Sequence, residues 1–142
     1  MVLKRKFSIL LTMFVCLFAL IGLTSCAGSA STSVSAYDSL SSDEKLVFDA
    51  LVMNINDFKD PASVKIVECG DVSGGSVHIK IKATNSFGGT VTNWYNLCVE
   101  GNDWIPTGYM LEMSVTGHAG KTINVGNLNR ALTEYLTDRG LA

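Results

Sequence analysis

Residues 77–83 read Val77-His78-Ile79-Lys80-Ile81-Lys82-Ala83. The odd positions are apolar and the even ones polar or charged, a strict two-residue period. Side chains alternate across a β-strand, so this stretch predicts a strand in a sheet with one buried face. Turn signals bound it on both sides: Gly74-Gly75 before it, and Asn85-Ser86-Phe87-Gly88-Gly89 after it. Working outward, Val91 to Val99 alternates again. Val91, Tyr95, Leu97 and Val99 lie on one side, and Trp94, Asn96 and Cys98 on the other. Gly101-Asn102-Asp103 turns the chain, and Tyr109, Leu111, Met113 and Val115 alternate with Met110, Glu112 and Ser114 as a further strand. Upstream, Val64-Lys65-Ile66-Val67 is short and β-branched. Four strands joined by short turns predict an antiparallel meander.

Helical patterns flank the meander. Val47, Phe48, Leu51, Val52, Ile55 and Phe58 recur at helical spacing. Ser41 and Glu44 form a candidate capping box at the start, and Pro61 is expected to stop the helix. Near the other end, Val125, Leu128, Ala131, Leu132, Tyr135 and Leu136 make an apolar stripe. Asn124 is the candidate N-cap, Ile123 and Leu128 are placed for a hydrophobic staple, and Gly140 is the stop. The expected class is α+β: an N-terminal helix, a four-stranded antiparallel meander and a C-terminal amphipathic helix.

The chain opens with Lys4, Arg5 and Lys6, followed by a nearly unbroken apolar run from Phe7 to Leu23. Basic start, apolar middle and small residues at the end are the parts of a secretory signal. Leu23-Thr24-Ser25-Cys26 resembles the lipobox of bacterial lipoproteins. The resemblance implies cleavage before Cys26, a diacylglycerol on its thiol, and attachment to the extracytoplasmic side of the cell membrane. Two acyl chains hold a protein on a bilayer where one barely does. The competing reading is a permanent membrane helix, for which 17 residues, counted from Phe7 to Leu23, are at the short limit. The expected organisation is a signal peptide at 1–25, lipidated Cys26 with a Ser/Ala/Gly tether through 36, and one α+β domain at 37–142. Loss of the signal removes three basic residues, leaving 8 Lys and Arg against 13 Asp and Glu, a formal charge of −5. That balance argues against a nucleic-acid partner, which calls for a basic patch.

Two further stretches, Phe58-Lys59-Asp60-Pro61-Ala62-Ser63-Val64 and Asn85-Ser86-Phe87-Gly88-Gly89, resemble paired K-[DN]-P-x-S and N-x-F-G-G motifs of small uncharacterised bacterial secreted proteins. The resemblance covers roughly residues 45 to 100 and implies no activity. Physically, Asp60 is placed to cap a turn that Pro61 begins and Ser63 closes. Asn85, Gly88 and Gly89 suit a tight turn in which Phe87 folds back as a plug; the functional alternative is a ligand loop with Phe87 as the contact.

Catalytic signatures are scarce. No G-x-S-x-G and no phosphate loop with its Lys occurs, and no cofactor motif is present. His78 and His118 stand at no metal-ligand spacing, so no metal is expected. Cys69 and Cys98, an even pair outside the cytoplasm, invite a disulfide. Against it, a meander puts their strands two places apart, about 10 Å, beyond disulfide reach; the alternative is two free thiols. His78, Lys80, Lys82 and Trp94 share one sheet face and are the candidate surface for an anionic or sugar-like ligand or an envelope protein. The competing reading covers that face with the C-terminal helix, or leaves its lysines as a solvated edge. The functional expectation is a lipid-anchored, non-catalytic binding or interaction module; the alternative is a small envelope hydrolase or lytic enzyme.

Overall fold

The computed structural model describes residues 34–142. The lipobox with Cys26, the apolar run and most of the expected tether lie outside the described residues. Helix α1 spans Ser42–Val52. Strands β1 (Lys65–Cys69), β2 (Ser76–Thr84), β3 (Thr90–Cys98) and β4 (Met110–Glu112) follow, then helix α2 (Val125–Asp138). The sheet order is β1-β2-β3-β4, each neighbour antiparallel, so the fold is α+β with a helix, a meander and a C-terminal helix.

The alternation in residues 77–83 gives the sheet its two faces. Val77, Ile79, Ile81 and Ala83 are buried and pack with Ile66, Leu97 and the apolar sides of both helices, including Phe48, Leu51, Leu128 and Leu132. Both helices therefore cover one face. Between β1 and β2, Gly74 (φ 58°) and Gly75 (φ 75°) form the two-residue turn with two left-handed positions that suits a hairpin. Helix α2 begins at Asn124, whose Oδ1 accepts from the amides of Gly126 and Asn127. It ends in a Schellman motif: Gly140 (φ 65°) donates to Thr137 O, and Leu141 to Leu136 O.

Glu44 joins the two helix starts. Its Oε2 accepts from the Ser41 amide (2.8 Å), completing the capping box of α1. Its Oε1 accepts from the Asn124 amide (2.9 Å), the N-cap of α2, and Asn127 Nδ2 lies 3.5 Å away. Glu44 is only 3% exposed, a position a glutamate occupies only when its oxygens are partnered. Asn129 of α2 lies against the outer edge of β1. Its side-chain amide accepts from Ile66 N (2.9 Å) and donates to Ile66 O (2.8 Å).

Four boundaries differ from the expectation. Helix α1 ends at Val52, well before Pro61. Asn54 Nδ2 donates to Ala50 O and to Gly108 O, drawing the chain into a short 3₁₀ turn at Ile55–Asp57, and a second follows at Pro61–Ser63. The fourth strand is three residues long rather than seven. After the Met113 amide bonds to Trp94 O, the chain leaves the sheet. β1 starts at Lys65 and carries a bulge between Ile66 and Glu68. Finally, the folded unit already includes the last residues of the expected tether: Ala36 is buried, and its amide donates to Glu134 Oε2 (2.7 Å).

Candidate functional site

Strand pairing places the expected surface residues on the sheet face away from the helices. Lys80 pairs with Trp94, Lys82 with Thr92, and His78 with Asn96. The C-terminal helix does not cover this face. Residues 113–122 do: they run from β4 back across β3 and β2 to β1. Gly117 presses its backbone on the indole of Trp94, where a Cβ would fall 2.5 Å from the ring. The Gly120 amide donates to Cys69 O (2.8 Å), and any side chain at Gly120 would collide with Asp71. Asp71 Oδ1 fastens the end of this strap by accepting from the amides of Lys121 and Thr122 and from Thr122 Oγ1. The Thr122 hydroxyl and then its amide hold the Asp71 carboxyl below the usual carboxylate range. Trp94 is left 8% exposed. Lys80 forms an ion pair with Glu68 (2.7 Å), and its Nζ lies 5.5 Å from the centre of the Trp94 ring. Only Lys82 of the lysine pair is solvent-exposed. The middle of the expected face is thus closed and its central cation neutralised.

The strap brings together the two histidines, 40 residues apart in sequence. The His118 amide approaches His78 Nδ1 (3.4 Å), and the ring centres are 5.9 Å apart beside an open cleft of 330 Å³ that Asp71 also lines. Asp71 is already engaged with the strap. Among the described residues, no three His, Cys, Asp or Glu side chains converge as a metal site.

Cys69 and Cys98 are free. Cys69 pairs with Ile79 on the helix-covered face, whereas Cys98 pairs with Ser76 on the other. With β2 between their strands and their side chains on opposite faces, the disulfide expectation fails on geometry. Burial, with the Asp71 charge adding to it, pushes the Cys69 thiol up to about 12.

The two motif loops meet. Ser63 Oγ donates to Asp60 O (2.6 Å) and accepts from the Thr84 amide (2.8 Å), one residue before Asn85. Asp60 makes no side-chain cap, contrary to expectation; the turn begins with Pro61 and is closed by backbone bonds and Ser63. Asn85 Oδ1 accepts from the amides of Phe87 and Gly89, and Gly88 takes φ 80°. Phe87 stands out at the tip, 96% exposed, instead of folding back. These motifs build a scaffold in which Phe87 is the one large projecting group.

A concave site at the opposite end of the sheet was not foreseen. The β1–β2 turn forms one wall, through Gly74 and Gly75, and the β3–β4 loop forms another. Ser76, Asn96 and Cys98 supply the floor, and Ile105, Tyr109 and Leu111 the apolar side. The cavity measures 250 Å³. Tyr109 is 49% and Leu111 55% exposed, while Met110, not Leu111, packs on the core. At the loop tip, Asn102 Oδ1 accepts from the amides of Trp104 and Ile105, holding Trp104 92% exposed. The sequence signal for this end was the pair Trp104-Ile105, apolar residues inside a Gly/Asn/Asp-rich turn where polar ones are usual.

No protein-family model, curated protein or solved structure matches the chain.

Proposed function

We propose that this chain is a non-catalytic binding module of the bacterial envelope, anchored on the extracytoplasmic side of the cell membrane through acylated Cys26, and that it binds at the β3–β4 end of its sheet. The anchor is supported by the basic start, the apolar run and Leu23-Thr24-Ser25-Cys26. Among the described residues no helix is long and apolar enough to cross a membrane. The observation that carries the binding reading is the gathering of Ile105, Tyr109 and Leu111 around one cavity, with Trp104, 92% exposed, beside Ile105 in the same loop. Contiguous exposed apolar groups rimmed by polar ones mark interaction sites. Asp71, which shares its cleft with His78 and His118, is bonded to the strap through Oδ1, and Glu100 is the one carboxylate lining the far cavity.

The anchor is tested by Cys26→Ala, which abolishes incorporation of a fatty-acid probe and leaves an uncut precursor. Equal label on the variant overturns the anchor. The binding end is tested by cosedimentation of the chain with isolated bacterial envelopes. Trp104→Ala reduces it with an unchanged melting temperature, because a side chain so exposed contributes little to folding yet central interface aromatics carry affinity.

A further inference from the structure

Strand β4 ends the sheet on the side away from β1, and its pairing with β3 fixes which of its backbone groups are used. Cys98 N donates to Tyr109 O (2.9 Å) and Met113 N to Trp94 O (2.8 Å), with Leu111 paired to Asn96 between them. Antiparallel bonds recur at every second residue. Tyr109, Leu111 and Met113 therefore face β3 with their backbones, and the N–H and C=O of Met110 and Glu112 point outward. No strand lies beyond them among the described residues. After Met113 the strap turns back over Trp94, away from this border. Apolar side chains stand bare beside it: Tyr109 and Leu111 on the face away from the helices, and Met53, at the end of α1, against Gly108.

We propose that β4 is the interface of a symmetric dimer, pairing antiparallel with β4 of a second copy about a two-fold axis at Leu111. The axis could stand at Met110, Leu111 or Glu112. At Glu112, two carboxylates would lie directly opposite each other, which destabilises a strand pair. At Met110, Glu112 would fall opposite Gly108, whose amide is already given to Cys98 O (2.8 Å) and whose φ of 84° is not that of a strand. At Leu111, Met110 lies opposite Glu112 of the second copy. Every outward N–H then meets an outward C=O, and no like charges oppose. The same register sets the two Leu111 side chains across the axis as a non-hydrogen-bonded pair, where antiparallel neighbours come closest. Each exposed leucine is covered by its twin. The border is complementary to itself, and that selects a second copy over an unrelated strand. Trp104 lies outside the pairing, so the dimer goes beyond the envelope-binding reading and does not depend on it.

The test uses the intact chain in detergent, with micelles in excess over protein. Sedimentation shows a monomer–dimer equilibrium with a dissociation constant of about 0.1 mM, the weak end expected of so short an interface. Leu111→Lys sets two ammonium groups across the axis and weakens association about tenfold. The dilute variant keeps its melting temperature, because Leu111 is exposed. Cysteine pairing reads the register, in a Cys98→Ser background treated with diamide. Leu111→Cys gives a disulfide-linked dimer, since a non-hydrogen-bonded pair holds its Cα atoms ~4.5 Å apart, within disulfide reach. Tyr109→Cys, which faces Met113 of the second copy, does not. A chain still monomeric at about ten times that concentration, a dimer that Leu111→Lys leaves intact, or linkage through Tyr109→Cys as fast as through Leu111→Cys each overturn the proposal. Trp104→Ala leaves the dimer unchanged, so loss of the dimer and loss of the envelope-binding end are read separately.

Discussion

Removing the Glu44 carboxylate should uncouple the two helices and cost the fold a large part of its stability. In the native state the carboxylate accepts from two backbone amides, Ser41 N at 2.8 Å and Asn124 N at 2.9 Å. Hydrogen bonds to a charged group contribute ~1.5–3 kcal/mol each. Both amides sit at segment ends that water can reach once the side chain is gone, so the low end applies, and Glu44→Ala is expected to cost about 3 kcal/mol. At ~4–8 °C per kcal/mol for a domain of this size, that is a drop of about 12–24 °C in melting temperature. Glu44→Gln keeps one acceptor but turns an NH₂ group toward the other amide, so it should lose about 2 kcal/mol.

The pH dependence is a second handle. Burial raises the Glu44 pKa, but the bonds from the Ser41 and Asn124 amides, with Ser41 Oγ and Asn127, outweigh it and hold it below the ordinary 4.5. A depressed pKa stabilises the fold fully above the unfolded value, and that stabilisation is lost as pH falls through the folded one. The gap between wild type and Glu44→Gln should therefore be widest at neutral pH and close on acidification below about 4.5. Asp71 titrates in the same direction but is common to both proteins and cancels in the difference. Urea unfolding from pH 7 to pH 3 measures this. A Glu44→Ala variant within about 0.5 kcal/mol of wild type, the range of ordinary surface changes, would refute the shared cap, as would parallel acid limbs.

Two other expectations follow from the sheet. Trp94→Ala should cost about 3 kcal/mol by opening a cavity under the strap, at the low end for a large aromatic because a loop can settle into the space; a melting temperature within a degree or two of wild type would mean that the indole is presented rather than packed. At pH 8, iodoacetamide should modify half-exposed Cys98 and spare buried Cys69, whose thiol is raised to about 12; peptide mass mapping showing equal modification of both, or a Cys69–Cys98 bridge, contradicts the placement of the two on opposite faces.

Local chemistry was legible where neighbours in sequence do the work. The alternation through Val77 to Ala83, the Gly74-Gly75 turn, the Ser41–Glu44 box, the Asn124 cap and the Gly140 stop all depend on residues a few positions apart. What escaped notice depends on long-range partners. Glu44 meets Asn124 across 80 positions, and Asn54 meets Gly108 across 54, ending α1 early. The identity of the cover over Trp94 was misread for the same reason: Met113 and Val115 continue the alternation of β4, so the start of the strap reads as strand, and only its glycines mark a close approach. The phase of β4 was ambiguous because Met110 and Leu111 are both apolar, and the choice is made by the rung joining Leu97 to Met110. The Asn96 cavity belongs to this class, since its walls come from two hairpins.

The two borders of the sheet are unequal. At β1, the Asn129 amide takes up the outward N–H and C=O of Ile66 as a neighbouring strand would. At β4, no strand lies beyond Met110–Glu112 among the described residues. A further strand at the middle of β1 would have to displace the Asn129 amide, and β4 is the border that any added strand would have to use. If two copies join through β4, both free borders of the doubled sheet are Asn129-capped β1 strands, and growth terminates there. In such a pair Asn129 would act as the stop at each outer border.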